Sequence, residues 1–150
     1  MRRISSTGIV AALALAVVGI ALAATHGQSS TLSATLSATK EVPKPAGASS
    51  TASGAFTGTL TEGTKDRVAW KLTFAHLTGK AVGAHIHLGK PGHPGPVLVS
   101  LCGPCRSGQT GSAAVSAKIA KQIQSGSTYV NVHTTKNAGG EIRGQIKSTS

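Results

Sequence analysis

Apolar and polar residues alternate along several short stretches of this 150-residue chain. The clearest is 68–74, where every second residue is Val, Trp, Leu or Phe and the residues between include Lys71 and Thr73. Such alternation is typical of a strand with one buried face and one solvated face. Similar stretches, or short β-branched apolar runs, predict further strands at residues 32–38, 55–60, 82–88, 96–101, 128–134 and 141–147.

Segments rich in Gly, Pro and other turn-forming residues separate the predicted strands and indicate turns or loops. They lie at residues 43–54, 62–64, 90–95, 103–111 and 137–140. One short helix is expected after Ser116, which can cap it, and before Gly126. About seven short strands with a single helix predict an all-β protein, an antiparallel β-sandwich of immunoglobulin-like or Greek-key type.

The first 23 residues have the pattern of a secretory signal peptide. Two arginines precede an apolar run, and Ala-Leu-Ala at 21–23 supplies the small residues of a cleavage site. The run at 9–24 is shorter than the roughly 20 residues that cross a bilayer core, so we expect cleavage and no transmembrane segment afterwards. Residues 24–31 are then a flexible lead, residues 32–147 form one domain, and the protein is secreted or periplasmic.

The chain carries 15 Lys and Arg against four Asp and Glu, a formal net charge of +11. Because the basic residues are scattered and aromatic residues make up 3% of the chain, no specific nucleic-acid module is indicated. A basic surface of this kind attracts anionic extracellular polymers or proteins at low salt. So few carboxylates disfavour a glycosidase-type carboxylate pair or a calcium or magnesium cage.

Three histidines are candidates for a metal site. His85 and His87 lie two residues apart in one predicted strand and therefore face the same side, and His133 lies in a later strand. If the two strands are neighbours, the three imidazoles converge, and such a set suits copper in the first place and zinc in the second. His93, in the turn 90–95, is a candidate fourth ligand or simply a loop residue. The alternative interpretation is a solvated strand face without metal.

Cys102 and Cys105 form a Cys-Gly-Pro-Cys string like that of thioredoxin-type redox proteins. That chemistry needs the first thiolate at a helix N-terminus, and the residues after Cys105 are poor helix formers. In an oxidising compartment, two cysteines this close most simply form a local disulfide. We therefore expect a structural disulfide, with redox catalysis as the alternative.

Glu141 and Arg143 lie two residues apart in the last predicted strand. Residues at this spacing share one face, so the two side chains are expected to pair along the strand and hold it in place. The alternative is that Arg143 binds an anion or a substrate near the histidines.

Four short strings resemble the signature of the CHRD domain, which is named after chordin and is also found in secreted bacterial proteins. They are Glu41-Val-Pro, Ala84-His-Ile-His, Gly126 with Tyr129-Val-Asn-Val-His-Thr, and Gly140-Glu-Ile-Arg-Gly-Gln. Their order and spacing cover roughly residues 32–147. The resemblance implies an immunoglobulin-like β-sandwich and leaves the biochemical role open.

The histidine pattern is also similar to the copper site of Cu/Zn superoxide dismutase, another β-sandwich. By that similarity His85, His87 and His133 match three copper ligands, and His93 lies near the position of the bridging histidine. The zinc site of those enzymes needs further His and an Asp, and the residues between His93 and His133 include neither. The similarity implies a mononuclear copper site, or one that has lost its metal, and not a two-metal enzyme.

The sequence favours an exported CHRD-type binding or structural module over an enzyme. Its specific chemistry is predicted to be copper, or zinc, held by the three histidines for sequestration or for redox chemistry outside the cytoplasm. The rival functions are an adhesion or matrix module that does not use the histidines, a thiol-disulfide oxidoreductase, and a superoxide-dismutase-like copper enzyme without the zinc site.

Overall fold

The computed structural model describes residues 27–150, so the predicted signal peptide at 1–23 lies outside the described residues. In chain order the elements are β1 (Ser29–Ser37), a 3₁₀ turn (Ala38–Lys40), β2 (Ser53–Thr61), β3 (Arg67–Ala75), β4 (Ala81–Leu88), β5 (Val97–Cys102), β6 (Gln109–Ala114), α1 (Ala117–Gln124), β7 (Thr128–Thr134), β8 (Ile142–Gln145) and β9 (Lys147–Thr149). No helix within residues 27–150 is long and apolar enough to cross a bilayer.

The strands form one antiparallel sheet in the order β5-β4-β7-β8-β1-β2-β3-β6, with β9 also paired to β1. The end strands β5 and β6 contact each other, so the sheet is nearly closed. The neighbours β4–β7, β8–β1 and β3–β6 are not consecutive in the chain, and their crossovers are of the kind found in Greek-key folds. The predicted all-β antiparallel class with one short helix is confirmed.

The core lies inside this sheet and follows the predicted alternation. In β1 and β3 the apolar side chains at every second position are buried, except Phe74 near the end of β3, which is partly buried. Each large buried side chain contributes about 1.5–3 kcal/mol by leaving water. The buried apolar side chains of these two strands are Leu32, Ala34, Leu36, Val68, Trp70 and Leu72. Helix α1 begins as predicted, because Ser116 Oγ accepts a hydrogen bond from the backbone N–H of Ile119 (3.3 Å). Its buried residues, Ala120 and Ile123, join the same core.

Strand β6 was not predicted, since it occupies part of the segment 103–111 that was expected to be a loop. Its sequence, Gln-Thr-Gly-Ser-Ala-Ala, has no apolar alternation. The strand forms because the edge of β3 offers it backbone partners from Arg67 to Leu72. Gly111 pairs with Trp70, and a side chain at Gly111 would collide with the indole ring. Tertiary packing therefore dictates this strand.

Two further boundaries differ from the expectation. Strand β1 begins at Ser29 and so includes the end of the segment 24–31 that was predicted to be a flexible lead. The last predicted strand, 141–147, begins at Ile142 and is divided into β8 and β9 at Ile146. Ile146 is buried in the core, and its N–H bonds to the carbonyl of Thr128 (2.9 Å).

Candidate metal centre

Strands β4 and β7 are direct neighbours, which is the condition that the three-histidine site required. In their antiparallel register Gly83 pairs with His133, and His85 pairs with Asn131. The intervening residues of both strands are fully buried in the core, for example Ile86. The histidines at alternate positions must therefore project from the outer face of the sheet.

The three imidazole rings cluster on that outer face. The centroid of the His85 ring lies 4.9 Å from that of His133 and 5.6 Å from that of His87, and the His87 and His133 centroids are 5.8 Å apart. One nitrogen from each ring can be chosen so that all three lie within 4.8 Å of one another. The structure thus brings together the three residues that sequence spacing singled out.

Two backbone carbonyls fix the tautomers of this cluster. His87 Nδ1 lies 2.9 Å from the oxygen of Gly95, and His133 Nδ1 lies 2.8 Å from the oxygen of Ala138. A carbonyl oxygen can only accept, so both Nδ1 atoms carry a proton, and in the neutral form of each ring the lone pair is on Nε2. This N–H to carbonyl arrangement is the one that orients histidine ligands in metal sites.

Three ring nitrogens in the cluster are buried and have no hydrogen-bond partner within residues 27–150: His85 Nδ1, His87 Nε2 and His133 Nε2. Buried polar atoms are normally satisfied, so three together mark a place for a ligand. Copper and zinc bind imidazole nitrogen at about 2.0–2.1 Å, so two nitrogens on one ion are at most about 4.2 Å apart. The nitrogens, which lie within 4.8 Å of one another, must therefore move closer together when they bind an ion. The donor set fits such an ion.

The electrostatics favour the neutral form of His85 and His87. Burial lowers the pKa of His85 below its usual 6.5, and the nearby rings of His133 and His87 lower it further. Burial also lowers the pKa of His87, and His133 and Arg143 add to this effect against the opposing hydrogen bond to Gly95. Histidine binds metals in its neutral form, so these shifts keep both residues competent below neutral pH.

An open groove of about 550 Å³ leads to the cluster. Its lining residues are Val82, Gly83, His85, Ser100, Cys102, Gly103, His133 and Ala138. Because position 83 has no side chain, the space beside the His85 ring is free: a Cβ there would lie 3.4 Å from His85 Cε1. An ion bound by the histidines could therefore be reached by a small molecule from this side.

Tyr129 separates the cluster from Arg143. The Tyr129 ring stacks on His87 with centroids 4.9 Å apart and an angle of 10° between the planes, and Arg143 Cζ lies 3.4 Å from the Tyr129 centroid. Since β7 lies between β4 and β8, the two partners approach Tyr129 from opposite sides. This stack restricts the rotation of the His87 ring.

The loop between β4 and β5 is held against the same face by side chains of β7 and β8. Each bond uses a backbone group of the loop, and one of the loop carbonyls, Gly95 O, orients His87. The bonds are Arg143 Nη2 to the oxygens of Lys90 (2.9 Å) and His93 (2.8 Å), Gln145 Nε2 to the oxygen of Gly89 (2.8 Å), and Gly95 N to Tyr129 Oη (3.2 Å).

The family of this chain follows from its sequence as a whole. The CHRD domain model matches residues 32–146, which include every residue of the site described above. The chain belongs to the CHRD domain family. CHRD domains are extracellular-type domains. No curated protein and no solved structure matches the chain.

His93 is not part of the cluster in this CHRD domain. The side chain is exposed in the β4–β5 loop, and the group of candidate ligands within residues 27–150 comprises His85, His87 and His133. The contribution of His93 is its backbone oxygen, which accepts from Arg143. Of the two interpretations that the sequence left open for His93, its position here is that of a loop residue.

Glu141 and Arg143 do not pair with each other, contrary to the sequence-based expectation. Strand β8 begins at Ile142, so Glu141 precedes the strand and does not follow its alternation. Its carboxylate accepts hydrogen bonds from Thr78 N (2.6 Å), Thr78 Oγ1 (2.9 Å), Thr134 Oγ1 (2.7 Å) and Asn137 Nδ2 (3.4 Å). Glu141 thus anchors the segment before β4 and the end of β7, whereas Arg143 anchors the loop between β4 and β5.

Glu41 is a buried polar residue of this face to which the sequence analysis gave no role beyond its place in a motif. Its Oε2 accepts from Asn131 Nδ2 (2.7 Å) and its Oε1 from the N–H of Val42 (2.9 Å). Burial raises the pKa of Glu41, while the bond from Val42 and the charge of Arg143 oppose that rise. Its position within one of the four family strings, in a chain with four acidic residues, is the signal that could have found it.

Cys102 and Cys105 form a disulfide bond, with Cα atoms 5.3 Å apart. Cys105 is buried, and Cys102 is partly buried against the core while it also lines the groove beside His85. The segment after Cys105 leads into β6 and not into a helix. A redox-active thiol would thus lack the helix N-terminus that stabilises its thiolate.

Proposed function

We propose that this CHRD domain is an exported module that binds one copper ion through His85 Nδ1, His87 Nε2 and His133 Nε2. The observation that carries the proposal is the set of three buried, unpartnered ring nitrogens, two of them in rings whose other nitrogen is tied to a carbonyl. The role would be copper sequestration or redox chemistry outside the cytoplasm. Export would leave a mature chain whose N-terminal sequence begins near residue 24.

The chemistry of the donor set supports copper, with zinc as the second choice. All three donors are imidazole nitrogens, which suit Cu(II) and Zn(II), and a site of given ligands generally binds Cu(II) more tightly than Zn(II). Calcium and magnesium prefer oxygen donors, and the cluster contains no carboxylate.

Copper titration of the purified, metal-free protein tests the proposal. We expect one equivalent of Cu(II) to bind to the wild type. The control variant H76N should bind the same amount, because His76 is exposed and lies outside the cluster, and Asn tolerates the positive φ at that position. The H85A/H87A variant should lose this binding. H93A should retain it. Unchanged uptake by H85A/H87A would overturn the proposal.

A superoxide-consuming copper enzyme is a second candidate, favoured by the groove that leads from solvent to His85 and His133. The basic composition of the chain would attract an anionic substrate. The test is turnover by the copper-loaded protein compared with the same concentration of free copper ion. Activity no greater than that of the free ion would reject the enzyme and leave copper binding as the only function of the cluster.

Two other rivals predict different results. An adhesion or matrix module, with an anionic extracellular polymer or a protein as partner, would bind that partner equally well after replacement of the three histidines. A thiol-disulfide oxidoreductase would reduce insulin and lose the activity in C102S. Within the described residues the segment after Cys105 leads into β6 and not into a helix, which supports a structural disulfide instead.

A further inference from the structure

Arg143 is a buried cation without a close counter-ion. Its side chain is 2% exposed, and no carboxylate oxygen lies within 4.0 Å of it anywhere in residues 27–150, which hold all four acidic residues of the chain. Nη2 donates to two carbonyl oxygens, but Nη1 is buried and has no partner. A buried guanidinium is costly to the fold unless its donors and its charge are matched.

Arg143 is one of the residues that line a small cavity, which we call the Arg143 pocket. Its volume is about 260 Å³, below the roughly 300–1,000 Å³ of pockets for drug-sized ligands, so it suits one small molecule. It lies on the opposite side of Tyr129 from the histidines. Its lining residues are Thr39, Lys40, Val42, Pro91, Gly92, Arg143 and Gln145.

A second unpartnered atom defines the polarity of the pocket. Gln145 Nε2 is fixed by bonds to the oxygens of Gly89 and Gly126 (2.8 Å each), whereas Gln145 Oε1 is buried without a donor. Lys40, an exposed lining residue whose Nζ donates to the oxygen of Thr35 (2.7 Å), adds a second positive charge near the pocket. Both carboxylate oxygens of Glu41 already accept hydrogen bonds, and Glu41 does not line the cavity.

These groups together specify a ligand chemistry. Arg143 Nη1 needs an anionic acceptor, and Gln145 Oε1 needs a donor such as a hydroxyl. We propose that the Arg143 pocket binds a hydroxy-carboxylate of the size of one uronic acid unit, with its carboxylate toward Arg143 and Lys40 and a hydroxyl toward Gln145. The site is separate from the copper site and does not depend on it. Such a group occurs as a free hydroxy acid or as a unit of an acidic polysaccharide.

Calorimetric titration with galacturonate tests this inference on protein freed of metal by dialysis. We expect saturable binding at one site and at least about tenfold weaker binding of galactose, which keeps the hydroxyls but lacks the carboxylate. Acetate, which lacks the hydroxyls, should also bind more weakly. A galacturonate oligomer that binds more tightly than the monomer identifies a polymer as the source, and a monomer that binds at least as well identifies a free acid.

Charge-reversal variants locate the binding. K40E should weaken galacturonate binding about fivefold or more, because the charge beside the carboxylate changes sign. K118E, which makes the same change on an exposed residue of α1, should bind like the wild type. R143K keeps the positive charge but removes the guanidinium, so it should also weaken galacturonate binding. A thermal melt establishes that this variant is folded. Absence of saturable binding, equal affinity for galactose, or equal effects of K40E and K118E would overturn the proposal.

Discussion

The carbonyl oxygen of Gly95 lies 2.9 Å from Nδ1 of His87 and so determines which nitrogen of that ring is free. Gly95 is held in turn by its N–H bond to the hydroxyl of Tyr129 (3.2 Å), whose ring stacks on His87. The orientation of a proposed ligand therefore depends on a loop backbone and on one phenol.

The Y129F substitution removes that hydroxyl and keeps the stacked ring. We expect the affinity for Cu(II) to fall about tenfold, at the low end of the effects seen when the outer support of a ligand is lost. Competitive titration against a chromophoric chelator measures the change. S107A, which removes a hydroxyl that bonds to Phe74 far from the cluster, serves as the control. Equal affinities for Y129F and S107A would show that the loop does not position His87.

Gly83 keeps the groove beside His85 open. G83A should fold and bind copper, because the added Cβ would make an ordinary contact of 3.4 Å with His85 Cε1. G83L should reduce copper affinity by about tenfold or more, since its branched side chain must occupy the space of the rings or displace them. Circular dichroism confirms the fold, and copper titration gives the affinity. If G83L binds like G83A, the groove is not the route to the site.

Replacement of both cysteines tests the role of the disulfide. The ring closed by Cys102 and Cys105 is small, with a sequence separation of three, so C102A/C105A should lose stability at or below the low end of roughly 2–4 kcal/mol. Copper affinity should not change, because neither cysteine belongs to the group of three candidate ligands. Urea denaturation and copper titration give the two quantities. Insulin reduction by the wild type that disappears in the variant would contradict a purely structural role.

Glu141 predicts a pH dependence of stability. Burial alone would raise its pKa, but hydrogen bonds from Thr134, Thr78 and Asn137 lower it below the usual 4.5. The ionised form is therefore stabilised in the folded state, and this stabilisation is present above pH 4.5 and lost as the pH falls through the lower folded-state pKa. E141Q should cost about 2–3 kcal/mol at pH 7, where charged hydrogen bonds are lost.

Urea denaturation at a series of pH values checks this prediction. The difference in free energy of unfolding between the wild type and E141Q should shrink as the pH falls below 4.5. E62Q, at a half-buried carboxylate that accepts one side-chain hydrogen bond, from Gln124, should cost less than E141Q at pH 7. A difference for E141Q that is constant with pH would show that the loss comes from packing and not from the charge.

Much of the site could be predicted from local sequence. The spacing His-x-His places both rings of β4 on one face, and the period of two in β7 places His133 on the face of Tyr129 and Asn131. Convergence of the three rings also required β4 and β7 to pair. This pairing could not be predicted, because a strand carries no local signal of which distant strand it pairs with. The β-class followed from the alternation in strands such as β1 and β3 for the same local reason.

What the sequence could not give is the set of backbone contacts. Arg143 bonds to the carbonyls of Lys90 and His93. Every residue has a backbone carbonyl, so no residue type in the sequence indicates such a contact. The pairing of Glu141 with Arg143 was wrong because the strand starts one residue later than the alternation suggested. Strand β6 was missed because its partner β3, and not its own residues, makes it a strand.

Anomalous diffraction at the copper edge, from crystals of the protein grown with one equivalent of Cu(II), is the most direct measurement of the metal site. We predict a single strong peak about 2.0–2.1 Å from each of His85 Nδ1, His87 Nε2 and His133 Nε2. A peak at other residues, or none at the three rings under conditions where solution copper is bound, would contradict it.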